Sequence, residues 1–247
     1  MHFHDHFSGH ASDYSRFRPQ YPPALYAWLA EIAPAQDRVW DCATGNGQAA
    51  LALAEHFAEV WATDASATQI AAAPAHPSIR FRVHPAEASG LDQGAVSLVT
   101  VAQALHWFDF EPFFAEAQRV LRPGGVLAAW CYELFAITPA VDAPMFALYQ
   151  QILSEDWPPE RRHVETGYAQ VPWPWAELAT PAFAMEADWT VEQTLGYLRT
   201  WSACRRYIAR EGRDPVGQVE GAIREAWGAA KTRRVRWPLR LRASRLT

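Results

Sequence analysis

The run Asp41-Cys42-Ala43-Thr44-Gly45-Asn46-Gly47-Gln48 decides the fold of this 247-residue chain. It follows a short stretch, residues 38–40, that has the character of a strand, and it opens an Ala/Leu-rich stretch, residues 47–57, that is typical of a helix. Glycines between a strand and a helix let the backbone approach a ligand at the helix N-terminus. The run therefore predicts a ligand-binding loop inside an α/β fold.

The alternation of strands and helices continues on both sides of this loop. Three further helices are predicted, at 22–32, 66–73 and 111–121. Ser66 is the N-cap of the second, and Pro123-Gly124-Gly125 stops the third. Further strands are predicted at 60–63, 79–83, 96–102 and 126–131. Such alternation predicts a mostly parallel, Rossmann-like α/β sheet with helices on both faces.

The regular alternation of strands and helices ends after about residue 132. Residues 134–182 are rich in Pro, Trp and Tyr, contain one predicted helix at 143–153, and suggest an inserted cap or lid. A strand at 183–189, helices at 191–208 and 216–230, and a strand at 235–242 with one arginine-rich, solvated face complete the pattern. We expect a single domain over 1–247, with the ligand-binding core at 36–133.

Composition narrows the classes of function. Half of the residues are hydrophobic, which is enough for one sizeable core, and the net charge of −5 gives no bulk attraction for nucleic acid. Three widely spaced cysteines form no disulfide or zinc pattern, and no apolar run approaches a membrane span. We expect a cytoplasmic protein without membrane or nucleic-acid partners. The N-terminal histidines lack a spaced acid cluster, so no metal site is expected; they are His2, His4, His6 and His10.

Asp41 distinguishes between two classes of cofactor. The spacing of Gly45, Gly47 and Ala50 also fits the fingerprint of dinucleotide-binding loops. A dinucleotide carries an anionic pyrophosphate on this loop, which the Asp41 carboxylate would repel. S-adenosylmethionine (SAM) carries an ammonium and a sulfonium instead, which the same carboxylate attracts. The sequence therefore favours SAM over NAD(P), although Asp41 could also simply bond the backbone amides of its own loop.

Two further acids follow the next strands. Asp64 lies 23 positions after Asp41, at the end of the second strand, and Glu87 follows the third. Both belong at the carboxyl edge of the sheet, where such folds bind ligands. The two oxygens of Asp64 can accept hydrogen bonds from both ribose hydroxyls. The alternatives are that Asp64 caps the following helix and that Glu87 is an ordinary surface glutamate.

Several motifs resemble those of a known family. The runs 102–109, Ala-Gln-Ala-Leu-His-Trp-Phe-Asp, and 119–125, Arg-Val-Leu-Arg-Pro-Gly-Gly, resemble the signatures around strands four and five of class I SAM-dependent methyltransferases. The segment 13–22, Asp-Tyr-Ser-Arg-Phe-Arg-Pro-Gln-Tyr-Pro, and the tail 235–239 are similar to the trans-aconitate-methyltransferase-like group. The resemblance implies a seven-stranded sheet whose last strand is antiparallel and inserted.

The resemblance also implies roles for individual residues. The methionine portion of SAM would lie near Asp41, Ala43, Gly45 and Gly47. The ribose would lie on Asp64 beside Ala65, and the adenine near Ala86 and Glu87. Gln103 and His106 would lie under the methionine and the methyl group, with Tyr14 and Arg18 folded over the cofactor and Arg18 as a partner for its carboxylate. Three residues depart from the family pattern, which usually has Gly at Ala43 and an acid at Pro85 and Ser97.

Methyl transfer requires few catalytic residues that a sequence can reveal. A carboxylate acceptor needs no general base, whereas a hydroxyl would benefit from one, and His106 with Trp107 is the candidate catalytic pair. The alternative is that His106 only packs under the cofactor. The motif of DNA amine methyltransferases is absent after strand four, so we expect a small-molecule acceptor, methylated on the oxygen of a carboxylate or hydroxyl, with S-adenosylhomocysteine (SAH) as the second product.

The acceptor pocket is expected between 106–107, the N-terminal segment and the region 134–182. Its walls would come from Trp157, Trp173 and Trp175, and its anion anchor would be one of Arg199, Arg205 and Arg206, unless these arginines merely face solvent. Two other functions stay open at this point. One is an NAD(P)-dependent oxidoreductase, and the other is a non-catalytic protein that binds SAM or SAH. The sequence does not indicate an oligomeric state.

Overall fold

Seven strands form one mixed sheet in the computed structural model, which describes residues 19–246. They are β1 (Arg38–Cys42), β2 (Glu59–Asp64), β3 (Ile79–Val83), β4 (Val96–Ala102), β5 (Leu121–Tyr132), β6 (Ala184–Trp189) and β7 (Arg233–Arg245). Their order is β3-β2-β1-β4-β5-β7-β6. The first five strands are parallel, and β7 runs antiparallel between β5 and β6. The expected seven-stranded, Rossmann-like sheet is confirmed.

Nine α-helices connect the strands within the described part of the chain. They are α1 (Pro23–Ile32), α2 (Gln48–Leu53), α3 (Ala67–Ala72), α4 (Phe110–Val120), α5 (Pro139–Ala147), α6 (Arg161–Glu165), α7 (Val191–Arg199), α8 (Ser202–Glu211) and α9 (Glu220–Trp227). Ser66 caps α3 as predicted, because its hydroxyl accepts a hydrogen bond from Gln69 N. Within residues 19–246, no helix is long and apolar enough to cross a membrane.

Alternate residues of the central strands feed two buried clusters, one on each face of the sheet. On β5, for example, Val126, Ala128 and Trp130 belong to one cluster, whereas Leu127, Ala129 and Cys131 belong to the other. Side chains of a strand point alternately to its two faces, so both faces must be covered by helices and loops. The sequence shows this as nearly continuous apolar strands.

The strand order reverses between β1 and β4, and this reversal positions the site. Asp41 of β1 pairs in register with Ala62 of β2 on one side and with Thr100 of β4 on the other. Helices leave neighbouring strands toward opposite faces at such a point, which opens a crevice at the carboxyl edge of the sheet. The glycine loop follows β1 directly into this crevice.

Several predicted helix boundaries are wrong. The helix predicted at 47–57 ends at Leu53 and the one predicted at 216–230 covers only Glu220–Trp227, and three others have a local cause. The predicted helix 191–208 is two helices, because Trp201 adopts an extended backbone conformation (φ −61°, ψ 137°) between α7 and α8. The predicted helix 143–153 begins earlier, where Thr138 caps α5, and ends in a wider turn at Leu148–Ile152. Pro123-Gly124-Gly125 does not end α4, since Leu121 is already extended and opens β5.

The loop glycine Gly47 provides a stability test with a matched control. Gly47 has φ +89°, and a Cβ there would lie 2.8 Å from the Phe81 ring, whereas Gly212 has φ +71° with nothing within 4 Å. Gly212→Ala should cost about 1 kcal/mol of unfolding free energy, because the left-handed conformation is unfavourable for alanine. Gly47→Ala should cost clearly more in urea unfolding, because the ring must also move. Equal losses would show that the Phe81 contact is unimportant.

Candidate functional site

A buried carboxylate lies beneath the glycine loop. Asp41 is fully buried; its Oδ2 accepts a hydrogen bond of 2.5 Å from Thr44 Oγ1, and its Oδ1 accepts one of 2.8 Å from Thr100 Oγ1. Burial raises the pKa of Asp41 to about 6, in spite of these two hydroxyl donors, and the nearby charge of Asp64 raises it further. No arginine or lysine of residues 19–246 forms an ion pair with it. Among residues 19–246, the buried negative charge of Asp41 therefore has no cation paired with it.

The loop above Asp41 has an unusual backbone. Ala43, Gly45 and Gly47 have positive φ angles of +54°, +59° and +89°. Such angles are uncommon for a residue with a side chain, so Ala43 adopts a backbone conformation that favours glycine. Thr44 N donates to Thr63 O at 2.9 Å, so the loop is fastened to β2. The backbone strain at Ala43 is concentrated where a ligand would approach.

Asp64 joins the end of β2 to the same loop. Its Oδ2 accepts a hydrogen bond from Gly45 N at 2.9 Å and its Oδ1 accepts one from Ser66 N at 2.8 Å. The helix that follows is capped by the Ser66 hydroxyl, so Asp64 is not the cap of α3. The half-buried Asp64 and its neighbour Ala65 lie at the crevice.

The segment after β3 is held by an acid that the sequence analysis missed. Glu116 of α4 is buried, and its Oε1 accepts hydrogen bonds from Ser89 N and Ser89 Oγ at 2.8 and 2.6 Å. These bonds fix the half-buried Ala86 and Glu87 at the edge beside Asp64. A glutamate on an amphipathic helix gives no sequence signal of this kind, since most such residues face solvent.

Gln103 ties the end of β4 to the end of β5. Its Oε1 accepts a hydrogen bond from Tyr132 N at 2.8 Å, and its backbone N donates to Trp130 O at 2.8 Å. Its φ is +55°, so Gln103 is, after Ala43, a second residue other than glycine with a positive φ at this edge of the sheet. The side-chain amide therefore has a bonding role within the protein, directly beside the glycine loop.

His106 and Trp107 follow in a short helical turn, Leu105–Trp107. His106 is buried, with its Nδ1 3.2 Å from Tyr168 Oη and its ring centroid 4.6 Å from that of Trp107. Burial lowers the pKa of His106 to about 3, with smaller contributions from the positive charges of Arg161 and His163. The imidazole is therefore neutral near pH 7 and is a weak base.

A pocket opens next to this turn and reaches the segment between β5 and β6. Its lining combines aromatic, polar and charged side chains and consists of Gln103, His106, Trp107, Tyr132, Glu133, Leu134, Phe135, Trp157, Pro158, Arg161, Tyr197, Thr200, Trp201, Ser202 and Arg205. The acceptor pocket was expected next to 106–107 and the region 134–182, and this lining includes residues from both. Trp157 and Arg205, which were expected to contribute, line it.

Other expected members of the pocket lie elsewhere. Trp173 and Trp175 pack against Phe114 in the cluster on the opposite face of the sheet, and Trp173 Nε1 donates to Ser244 Oγ of β7 at 2.8 Å. Arg199 forms ion pairs with Asp214 and Glu220 at 2.7 and 2.8 Å. Arg206 is exposed and does not line the pocket. The break between α7 and α8 separates Arg199 from Arg205, whereas Arg206 follows Arg205 in α8 and is exposed.

Arg161 is the pocket arginine that the sequence analysis missed. Its Nε donates to Tyr149 Oη at 2.9 Å, and its guanidinium carbon lies 5.0 Å from the centroid of the Trp157 ring. No acid among residues 19–246 forms an ion pair with it, although the side chain is partly buried. Arg242, by contrast, pairs with Glu177 at 2.6 Å. The rest of the Arg161 guanidinium can therefore bind an anion.

The predicted contributions of Tyr14 and Arg18 lie outside the described residues, as do the four N-terminal histidines. The first described residues do approach the loop. Gln48 Nε2, at the start of α2, donates to Pro19 O at 3.1 Å, and the Tyr21 ring packs edge-on against Trp130 at 5.5 Å. The chain therefore passes over the crevice as it enters α1.

Comparison with known proteins identifies the fold and the chemistry together. The family described as "Methyltransferase domain" matches residues 40–129, which include β1, the glycine loop, β4 and the His106 turn. A solved structure from Anaeromyxobacter dehalogenans, described as a candidate type II methyltransferase, is 47% identical with a TM-score of 0.87, covering 92% of this chain and 97% of that one. The chain belongs to the class I S-adenosylmethionine-dependent methyltransferases.

Two further relatives of this methyltransferase agree. A candidate methyltransferase of Dictyostelium discoideum is 29% identical over 229 residues, which are 91% of this chain and 87% of that protein. A solved structure from Bacillus halodurans, also described as a candidate methyltransferase, has a TM-score of 0.50 at 18% identity and covers 91% of this chain and 100% of that one. The second likeness concerns the fold alone.

The residues at the crevice fit the cofactor of a SAM-dependent methyltransferase. SAM is cationic at its ammonium and sulfonium. The buried Asp41, which has no ion-pair partner among residues 19–246, lies beneath a loop that lets the backbone approach a ligand. Asp64 supplies carboxylate oxygens at the adjacent strand end. Because a pyrophosphate would be repelled by the same two acids, the charges at this edge favour SAM over a dinucleotide.

Proposed function

We propose that this methyltransferase transfers the methyl group of SAM to a carboxylate oxygen of a small organic acid. The observation that carries the proposal is Arg161, a partly buried arginine without an acid partner among the described residues, in the pocket beside His106 and Trp107. A guanidinium binds carboxylates through two parallel hydrogen bonds. Arg205 lines the same pocket and brings a second positive charge to it.

The state of His106 supports a carboxylate acceptor over a hydroxyl acceptor. Bound SAM supplies a methyl group that its positive sulfur has already activated, and a carboxylate accepts it with no proton transfer. A hydroxyl would need a base as the bond forms, and a histidine whose pKa is lowered to about 3 is poorly suited to that task. His106 and Trp107 instead form the wall where the acceptor oxygen would be placed.

The protein contributes alignment and exclusion of water. Phe135, Trp157 and Trp201 line the pocket and would hold the body of the acceptor while the arginines hold its carboxylate. Placing two reactants in line removes much of the entropic cost of a bimolecular reaction. The part of the region 134–182 that contains Trp157 and Arg161 would thus act as a cap over the acceptor, within one domain spanning 1–247.

The cofactor would occupy the core 36–133. We assign the methionine portion to Asp41, Ala43, Gly45, Gly47 and Gln103, the ribose to Asp64 beside Ala65, and the adenine to Ala86 and Glu87. Tyr14 and Arg18 would cover it from the N-terminal segment. Membership of the trans-aconitate-methyltransferase-like group, a cytoplasmic location and the lack of a nucleic-acid partner belong to the same proposal. The NAD(P)-dependent oxidoreductase and the non-catalytic binding protein have no support from the relatives.

The ribose role of Asp64 is tested by calorimetry with SAH. Asp64→Ala should weaken SAH binding by about 2–3 kcal/mol, because hydrogen bonds to a charged group contribute roughly 1.5–3 kcal/mol each. Ser66→Ala is the matched control, since it removes the cap of α3 next to the site and should leave the affinity within about twofold. If the Asp64→Ala variant kept its fold and bound SAH with unchanged affinity, the role of Asp64 would be purely structural.

The carboxylate acceptor is tested with labelled SAM and a panel of small carboxylates, phenols, amines and thiols. We expect turnover to be concentrated among the carboxylates. Arg161→Ala should lower kcat/KM for the best acid at least tenfold, and Arg206→Ala, an exposed arginine outside the pocket, should leave it unchanged. Turnover confined to amines or thiols would contradict the proposal. So would full activity toward the acid in both Arg161→Ala and Arg205→Ala.

A further inference from the structure

The acceptor pocket continues into a second, larger cavity. This outer groove is lined by Glu133, Leu134, Phe146, Tyr149, Gln150, Ser154, Trp157, Pro158, Pro159, Arg161, Arg162 and Glu165. Five of these residues also line the inner pocket: Glu133, Leu134, Trp157, Pro158 and Arg161. The volume is about 100 Å³ in the inner pocket and about 690 Å³ in the outer groove. Most of the space beside the site therefore lies beyond Arg161.

Arg161 stands at the junction of the two cavities and is held there. Its Nε donates to Tyr149 Oη, and Tyr149 Oη in turn donates to Glu165 Oε1 at 2.5 Å. The guanidinium also stacks over Trp157, whose Nε1 donates to Tyr149 O at 3.0 Å. These contacts use one side of the guanidinium and fix its position. A carboxylate bound to its remaining N–H groups would lie where the inner pocket meets the groove.

The groove beyond Arg161 has an apolar wall. Phe146 of α5 is one of the few large hydrophobic side chains exposed among residues 19–246, with an accessible fraction of 42%. Leu134, Pro158 and Pro159 extend this surface. Gln150 and Ser154 line the groove as neutral polar residues. Its charged members are two of each sign: Glu133, Glu165, Arg161 and Arg162. An uncharged, flexible chain fits this lining better than a second carboxylate does.

We infer that the acceptor is an elongated acid, whose carboxylate lies on Arg161 where the inner pocket meets the groove and whose apolar chain extends along the outer groove. The inference rests on the proposed carboxylate methylation and adds the class of acid. The volume of the outer groove is that of a small-molecule pocket. A specific protein partner would instead cover roughly 800 Å² of surface on each side. Continuity with the acceptor pocket through five shared residues makes the acceptor itself the occupant.

The reaction would give the methyl ester of this acid. A carboxylate oxygen forms a bond to the methyl carbon while the carbon–sulfur bond breaks, and the electron pair of that bond stays on sulfur. The products are a neutral ester and SAH, and no proton is transferred. The ester has lost the charge that Arg161 binds, which favours its release.

The experiment uses straight-chain saturated acids of four to twelve carbons. Binding to the SAH-saturated protein is measured by calorimetry, and ester formation from SAM is measured separately. Each methylene that leaves water should raise affinity by about twofold to fourfold, so binding should strengthen along the series until the groove is filled. Phe146→Gln should weaken binding of the ten-carbon acid at least fivefold and that of the four-carbon acid less than twofold.

Ile208→Gln is the matched control. Ile208 lies on α8 outside both cavities, with an accessible fraction of 41% that nearly equals that of Phe146. It should leave binding unchanged at every chain length. Equal affinity for short and long acids, with short acids still methylated, would overturn the elongated acceptor and leave carboxylate methylation standing. If no acid bound and no ester formed, both the elongated acceptor and carboxylate methylation would be overturned.

Discussion

The hydrogen bonds of Asp41 to Thr44 and Thr100 are the interaction on which the site depends. They join the glycine loop, β1 and β4 through one fully buried carboxylate. Burying a charge without a cation is costly, and the raised pKa of Asp41 records that cost. A packed apolar residue would serve the fold better at this position. The carboxylate makes physical sense when a cationic ligand arrives above it, which links the strained loop to the binding of SAM.

The two halves of the site differ in the charged residues that they contribute, and this difference is what the proposed acid acceptor depends on. Asp41 and Asp64 stand at the ends of β1 and β2, on the cofactor side, whereas Arg161 and Arg205 come from the segment after β5 and from α8, on the acceptor side. The neutral His106 lies between them. A cationic methyl donor and an anionic acceptor would each meet complementary charge, and their own attraction would help to bring them together at the His106 turn.

The sequence predicted the sheet and its carboxyl edge well because both follow from local patterns. The strand ends at Asp41 and Asp64, the cap at Ser66 and the turn at His106 depend on residues close together in the chain. Arg161 and the break at Thr200–Trp201 were missed because they depend on the packing of an irregular segment. Trp173 and Trp175 were placed on the wrong side of the sheet for the same reason. Composition shows that aromatic residues are present but cannot show where a long connection carries them.

The most direct test of this account is the number of protons released when SAH binds. It is measured by calorimetry at pH 6 in two buffers that differ in ionisation enthalpy. With its pKa at about 6, Asp41 is half protonated there in the free protein, and the ammonium of SAH should favour the charged form. The account predicts release of up to about half a proton at pH 6, none at pH 8, and none at either pH in Asp41→Asn. Equal release by the wild type and Asp41→Asn, or no release at pH 6, would contradict it.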